Sequence, residues 1–252
     1  MSDRKNTSRR GFLKAAGGSG MAAGYSLFIR ADRAEGADAP LPPGVEKAVA
    51  AVPTSPGAPP PHEPNMVQVD LHCDFLVAGG GMAGVCAALA AARTGARVVL
   101  VQNRSRLGGN ASSEVRMHIV GASCHRSRLG WRESGILEEL RLEDAKHNPQ
   151  WSFELWDLLL YDKVVSEPNI TLLLDTSVFR AVVSDNRIRE VWARSDLTET
   201  LYRIEAPLFA DCTGDCRLGV EAGAAYVVGH ESRDKYNEVR APKTAGTETL
   251  GS

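Results

Sequence analysis

The run Gly79-Gly80-Gly81-Met82-Ala83-Gly84 spaces three glycines as G-x-G-x-x-G, a pattern suited to holding a pyrophosphate against bare backbone. Each glycine has its own task. Gly79 permits a tight turn off a strand, Gly81 lets the main chain approach the phosphates, and Gly84 lets a helix lie close to a sheet. A helix opening at Met82, Ala83 and Gly84 aims unpaired N–H groups and the positive end of its dipole at the anion. The motif acquires meaning only between a strand and a helix, and its flanks supply both. Asp74 to Ala78 is a short apolar run of the kind that forms a buried parallel strand. Ala83 to Ala92 is alanine-rich and helix-forming, Gly95 stops it, and Arg97 to Val101 reads as a second strand. The expected fold class is α/β, a Rossmann-type FAD/NAD(P)-binding domain with a parallel sheet.

At the end of the second strand, where a carboxylate commonly grips the adenosine ribose, the chain has Gln102, followed by Asn103, Arg104 and Arg106. A glutamine can accept a hydrogen bond through its carbonyl oxygen but lacks the strength of a charged acceptor. A neutral residue beside arginines also suits the 2′-phosphate of NADP, so at this point both nucleotides remain open.

Leu107-Gly108-Gly109-Asn110-Ala111-Ser112-Ser113 comes next, and here the chain resembles bacterial FAD-dependent oxidoreductases with the glutathione-reductase type of flavin fold. The nearest likeness is to a subfamily related to the flavin region of heterodisulfide reductase. The resemblance spans roughly residues 73 to 252. It implies FAD as cofactor and hydride transfer between a small-molecule substrate and flavin, with Gly108, Gly109 and Asn110 running against the pyrophosphate. The rivals are an NADP-dependent oxidoreductase and a nucleotide-binding module without catalysis.

The resemblance also implies an antiparallel meander inserted in the sheet, and the later residues read that way. Ile170 to Leu174 forms a strand continued by Val178 to Val183. Asp185-Asn186-Arg187 turns, Ile188 to Ala193 returns, Tyr202 to Glu205 alternates, and an apolar strand from Leu208 ends in Thr213-Gly214. By the same likeness Val178 lies beside the adenine, and Thr213 and Gly214 close the pocket. The related proteins hold the flavin ring with a later segment and run on into a substrate domain, so this chain reads as the N-terminal part of a longer protein. Cys212 and Cys216 are one residue too far apart for the efficient C-x-x-C dithiol, and the related proteins carry glycine where Cys216 stands. A small substitute at a turn is the preferred reading.

Residues 116 to 133 hold the weak candidates for chemistry. His118 could serve as acid or base, and Arg116 could hold an anionic or polyhydroxylated group, although surface roles explain both as well. Cys124 and His125 are adjacent and make a poor metal pair, so no metal site is expected. Residues 133 to 166 read as two helices broken at Asn148-Pro149, with Trp151, Leu155, Trp156, Leu159 and Leu160 as a core face.

The remaining features bound the setting. The 252 residues carry a formal charge of −2, which gives no reason to expect nucleic acid. No run of 18 uncharged apolar residues appears, so no stable membrane span is expected. The five cysteines are odd in number and scattered, unlike a disulfide framework. Ser8-Arg9-Arg10-Gly11-Phe12-Leu13-Lys14, with a weakly apolar segment after it, resembles a twin-arginine export signal. Residues 1–39 are assigned as that signal region, which implies periplasmic or other extracytoplasmic delivery of a folded protein. Residues 40–65 contain nine of the thirteen prolines and form a linker. Residues 66–252 are the folded domain. A small-molecule substrate and an electron-acceptor protein are the expected partners.

Overall fold

The computed structural model describes residues 27–28, 63, 65–119, 133–226 and 229–246. By contact they fall into two compact units, one holding the described residues up to Ala224 and the other those from Ala225 onward.

In the first unit, β3 (Phe75–Ala78) leads through the glycine turn into α1 (Met82–Arg93), and β4 (Val98–Val101) follows. β4 pairs in parallel with β3 on one side and with β5 (Ile170–Leu173) on the other, while β9 (Leu208–Asp211) pairs in parallel with β3. The two-residue β1 (Leu27–Phe28), from the segment assigned to the export signal, pairs antiparallel with β9 and completes the order β1-β9-β3-β4-β5. The two central strands, β3 and β4, are apolar at every position because both sheet faces are covered there. Val77, Val98 and Leu100 face a core shared with α1, α2 (Gly135–His147) and α3 (Phe153–Val165), built around Leu89, Leu140 and Leu160. Leu76, Ala78, Val99 and Val101 face the opposite core, against Ala181, Val191 and Ile204 of a second sheet.

That second sheet runs β2-β8-β7-β6, with β2 (Val67–His72), β6 (Ser177–Ser184), β7 (Arg187–Ser195) and β8 (Thr200–Glu205). Asp185 and Asn186, at φ 52° and 57°, make the tight β6–β7 hairpin turn that demands left-handed residues. Trp151, read from the sequence as core, is instead 75% exposed, and two details of the sheets also differ from the sequence reading. The strand from Ile170 is not continued by Val178 to Val183: it ends at Leu173 in the parallel sheet, and the chain crosses at Leu174–Thr176 to the other sheet. The meander also gains β2, which pairs in parallel with β8 over Val67–His72. β2 is an edge strand with alternate residues exposed, so it lacks the apolar density that marks the buried strands.

After β9, α4 (Arg217–Glu221) closes the first unit. In the second unit, α5 (Arg233–Tyr236) lies between His230 and Gly246, which form a bridge. Among the described residues no helix is long and apolar enough to cross a membrane.

Candidate cofactor site

The glycine turn is clasped from beneath by the end of β9. Gly79 has φ 99°, and a Cβ there would lie 2.4 Å from the Cys212 carbonyl oxygen, so only glycine fits. A Cβ on Gly84 would lie 1.8 Å from the Gly79 carbonyl oxygen, which is how α1 comes so close to the strand it follows. Gly81 is different. Its φ is an ordinary −65°, and a Cβ would meet nothing within 4 Å. It is the N-cap of α1, with no side-chain cap and no acidic residue in the first turn. The helix opening therefore presents the backbone N–H groups of Met82, Ala83 and Gly84, with their dipole, beside open space.

The second glycine motif packs onto the first. The Gly108 N–H donates to the Gly80 carbonyl at 2.8 Å, Gly81 and Gly108 form a parallel bridge, and a Cβ on Gly109 would lie 3.3 Å from the Gly81 Cα. Gly108 at φ 103° and Gly109 at φ 58° give this segment its left-handed entry into the short 3-10 turn Gly109–Ala111, which contains Asn110. Asp157 of α3, 6% exposed, anchors the far side: it accepts from the Ser113 N–H at 3.0 Å and from the Ser113 hydroxyl, and Arg106 lies 3.5 Å away.

At the other end, Gln102 is 4% exposed, and both ends of its amide bond within the chain. Its Oε1 accepts from the Gly80 N–H at 2.8 Å, and its Nε2 donates to the Arg106 carbonyl at 2.9 Å. Both polar atoms of the Gln102 side chain thus bond to the chain's own backbone. The crossover lies alongside: the Thr176 N–H donates to the Gln102 carbonyl and the Asp175 N–H to the Arg104 carbonyl. Asn103 is exposed, and Arg104 has Glu114 at 3.9 Å. Val178 is buried on β6, the edge strand that follows this crossover.

Thr213, which precedes Gly214, is held by Asp211, 2% exposed. Its Oδ1 accepts from the Thr213 N–H at 3.0 Å and hydroxyl at 2.6 Å, and its Oδ2 accepts from the Gly219 N–H at 2.8 Å. A Cβ on Gly214 would meet nothing within 4 Å, as at Gly81. Cys216 stands at φ 51°, a left-handed position, which gives the physical reason that glycine suits it. Burial, with Asp211 and Asp215 nearby, pushes its thiol pKa up, the reverse of what a reactive dithiol needs.

The structure ties both chemical candidates to the start of α3. Arg116, itself at φ 59°, donates to the Ser113 carbonyl at 3.2 Å and pairs with Glu154 at 2.9 Å. The Ser152 hydroxyl bound to Glu154 is the main cause of that carboxyl's lowered pKa, and Arg116 adds to it. The His118 ring lies 5.4 Å from that of Phe153, tilted by 32°. Cys124, His125, Arg126, Arg128, Trp131 and Arg132 lie outside the described residues.

A family model described as FAD dependent oxidoreductase matches residues 74–250, the glycine turn and everything that packs on it. The chain belongs to this family. Its fold is the Rossmann type, and its cofactor is FAD, so of the two nucleotides left open by Gln102 and the arginines the flavin is the one taken. A 79-residue stretch is 34% identical to the alpha subunit of sarcosine oxidase from Corynebacterium sp. (strain P-1), covering 31% of this chain and 8% of that protein. A 43-residue stretch is 54% identical to the corresponding protein of Rhizobium meliloti (strain 1021), covering 17% and 4%. The matches thus span under a tenth of the length of these relatives. Among solved structures, the chain is similar to L-proline dehydrogenase from P. horikoshii at 17% identity and TM-score 0.35, over 57% of this chain and 22% of that one. It is similar to the myxobacterial halogenase CndH at 16% identity and TM-score 0.38, over 55% and 36%.

The residues present fit FAD. Gly81, at the α1 opening, leaves open space where a side chain would have stood, and Gly214 beyond β9 does the same. Asp157 and Asp211 carried no motif signal in the sequence. Asp211 had one usable cue, a carboxylate two residues before Thr213 at a strand end, where such side chains cap turns.

Proposed function

We propose that this chain binds FAD across the α1 opening and serves an oxidoreductase that passes a hydride between a small-molecule substrate and the flavin. One observation carries the binding mode: Gly81, alone among the three motif glycines, opens onto space, and it does so at an uncapped helix N-terminus. The N–H groups of Met82, Ala83 and Gly84 would receive the pyrophosphate, with Gly108, Gly109 and Asn110 along its other side. Asn103, Arg104 and Val178 would border the adenosine, and Thr213 and Gly214 would close the pocket. Bound FAD supplies the two-electron chemistry, and the protein supplies position and electrostatics. Arg116 and His118 lie just after the 3-10 turn, and the Met117 N–H donates to the Asn110 carbonyl at 2.9 Å, so they are the described side chains best placed to meet a substrate. The test is the visible spectrum of the purified protein together with an FAD titration. A colourless protein that takes up no added FAD would sink the reading.

We further propose that the protein is exported folded, with its cofactor, through recognition of Arg9 and Arg10, and that an electron-acceptor protein meets it outside the cytoplasm. Changing both arginines to lysine keeps the charge and should retain the protein in the cytoplasm; unchanged delivery would refute this route.

A further inference from the structure

We infer that Gln102 is a positioning residue for the cofactor: its side-chain amide clamps the 103–109 loop to the glycine turn, and the donor end of that amide is indispensable. This rests on the FAD reading above and assigns to Gln102 a role other than ribose ligand.

The orientation of the amide is forced. Gly80 offers an N–H, which can only donate, and Arg106 offers a carbonyl, which can only accept. The side chain therefore joins the loop's far end to the middle of the glycine turn. It acts alongside the Gly108 N–H on the Gly80 carbonyl, so Gly80 is held from both its N–H and its carbonyl. Gly81, whose open side faces the cofactor, is the next residue. There is little room for the clamp to shift, because a Cβ on Gly80 would already lie 2.6 Å from Leu107 and 3.0 Å from the Gln102 Cβ.

A carboxylate cannot do this work. Gln102→Glu keeps an acceptor for the Gly80 N–H but sets a second oxygen against the Arg106 carbonyl, acceptor against acceptor, in a buried place. The clamp re-forms only when the carboxyl takes up a proton and donates it to that carbonyl. The charged groups on the elements packed around it are Arg104 and Arg106 on its own loop and Asp175 on the crossover. Glu114 lies by Arg104, and Asp157 lies by Arg106. The glycine turn brings no charge.

The experiment compares the full chain with Gln102→Glu and Gln102→Met, reading FAD affinity and the melting temperature of the cofactor-free protein at about pH 8 and about pH 5. Gln102→Glu should bind FAD roughly ten- to a hundredfold more weakly at the higher pH, melt lower there, and recover both at the lower pH. Gln102→Met should be impaired equally at both. If Gln102→Glu binds as tightly as the parent or tighter at about pH 8, as a ribose ligand strengthened by charge would, or is impaired equally at both pH values, the clamp is overturned. A parent that binds no FAD while the cofactor-free proteins melt as described would leave the clamp standing and overturn the FAD reading instead.

Discussion

The two sides of the glycine turn are built on opposite principles. On the inner side, Gly79 and Gly84 lack a Cβ because backbone already occupies its place, the Cys212 carbonyl in one case and the Gly79 carbonyl in the other. On the outer side, Gly81 lacks a Cβ although nothing of the chain lies within 4 Å of where it would be, and Gly214, beyond β9, is open in the same way. One motif thus contains two glycines that packing requires and one, Gly81, that packing does not. Substitution separates them.

The largest effect belongs to the inner side. Gly84→Ala puts a methyl 1.8 Å from a backbone oxygen, with no flexible side chain to move aside. Such overpacking costs about 3 kcal/mol or more, a large share of a domain's total stability. Soluble yield and melting temperature should collapse together; a variant melting within a degree or two of the parent would break the distinction. On the outer side, Gly81→Val should fold normally, with the parent's circular dichroism and melting temperature, yet bind FAD on the order of a hundredfold more weakly. If it lost stability as Gly84→Ala does, both sides of the turn would answer to the same packing.

The smallest effect calibrates the far end of β3, away from the turn. Asp74 accepts from the Arg97 backbone N–H at 2.8 Å and from its guanidinium at 2.8 and 3.1 Å, and these bonds hold its pKa down to about 2. A carboxylate whose pKa is lower folded than unfolded stabilises above its unfolded value, about 3.9, and loses that contribution as pH falls through about 2. Asp74→Asn should therefore melt slightly below the parent at neutral pH, with the difference closing on acidification through that window. Thermal melts across the acid range check it, and FAD affinity at neutral pH should not change.

The two sides of the turn were not equally legible in the sequence. Gly79, Gly81 and Gly84 announce themselves by spacing, and the apolar runs from Phe75 and Val98 place them on a parallel sheet. Which glycine meets protein and which opens onto space depends on where Cys212 and Thr213 return, and spacing within the motif says nothing about that. Gln102 shows the same limit. Its position at a strand end was evident, but its partners are the Gly80 N–H and the Arg106 carbonyl, and a backbone partner leaves no signature in residue types. Asp157 was hidden for a related reason: it lies on a helix whose apolar spacing reads as core, and its bonds go to Ser113, on a separate segment. β2 was missed because an exposed edge strand needs little apolar content.

The pairing of β9 with β3 has a consequence for the order in which the protein is assembled. The residues that close beneath Gly79 come from Cys212 and Thr213, separated from it by most of the folded chain. Contacts so distant in sequence form late, since a long loop must close before they contribute anything. Until β9 docks, the chain can form its first strand and helix but has no floor beneath the phosphate turn. Cofactor capture is therefore a report that the C-terminal strand of this sheet has arrived, and a nascent chain halted before Leu208 would pass through synthesis unable to hold flavin.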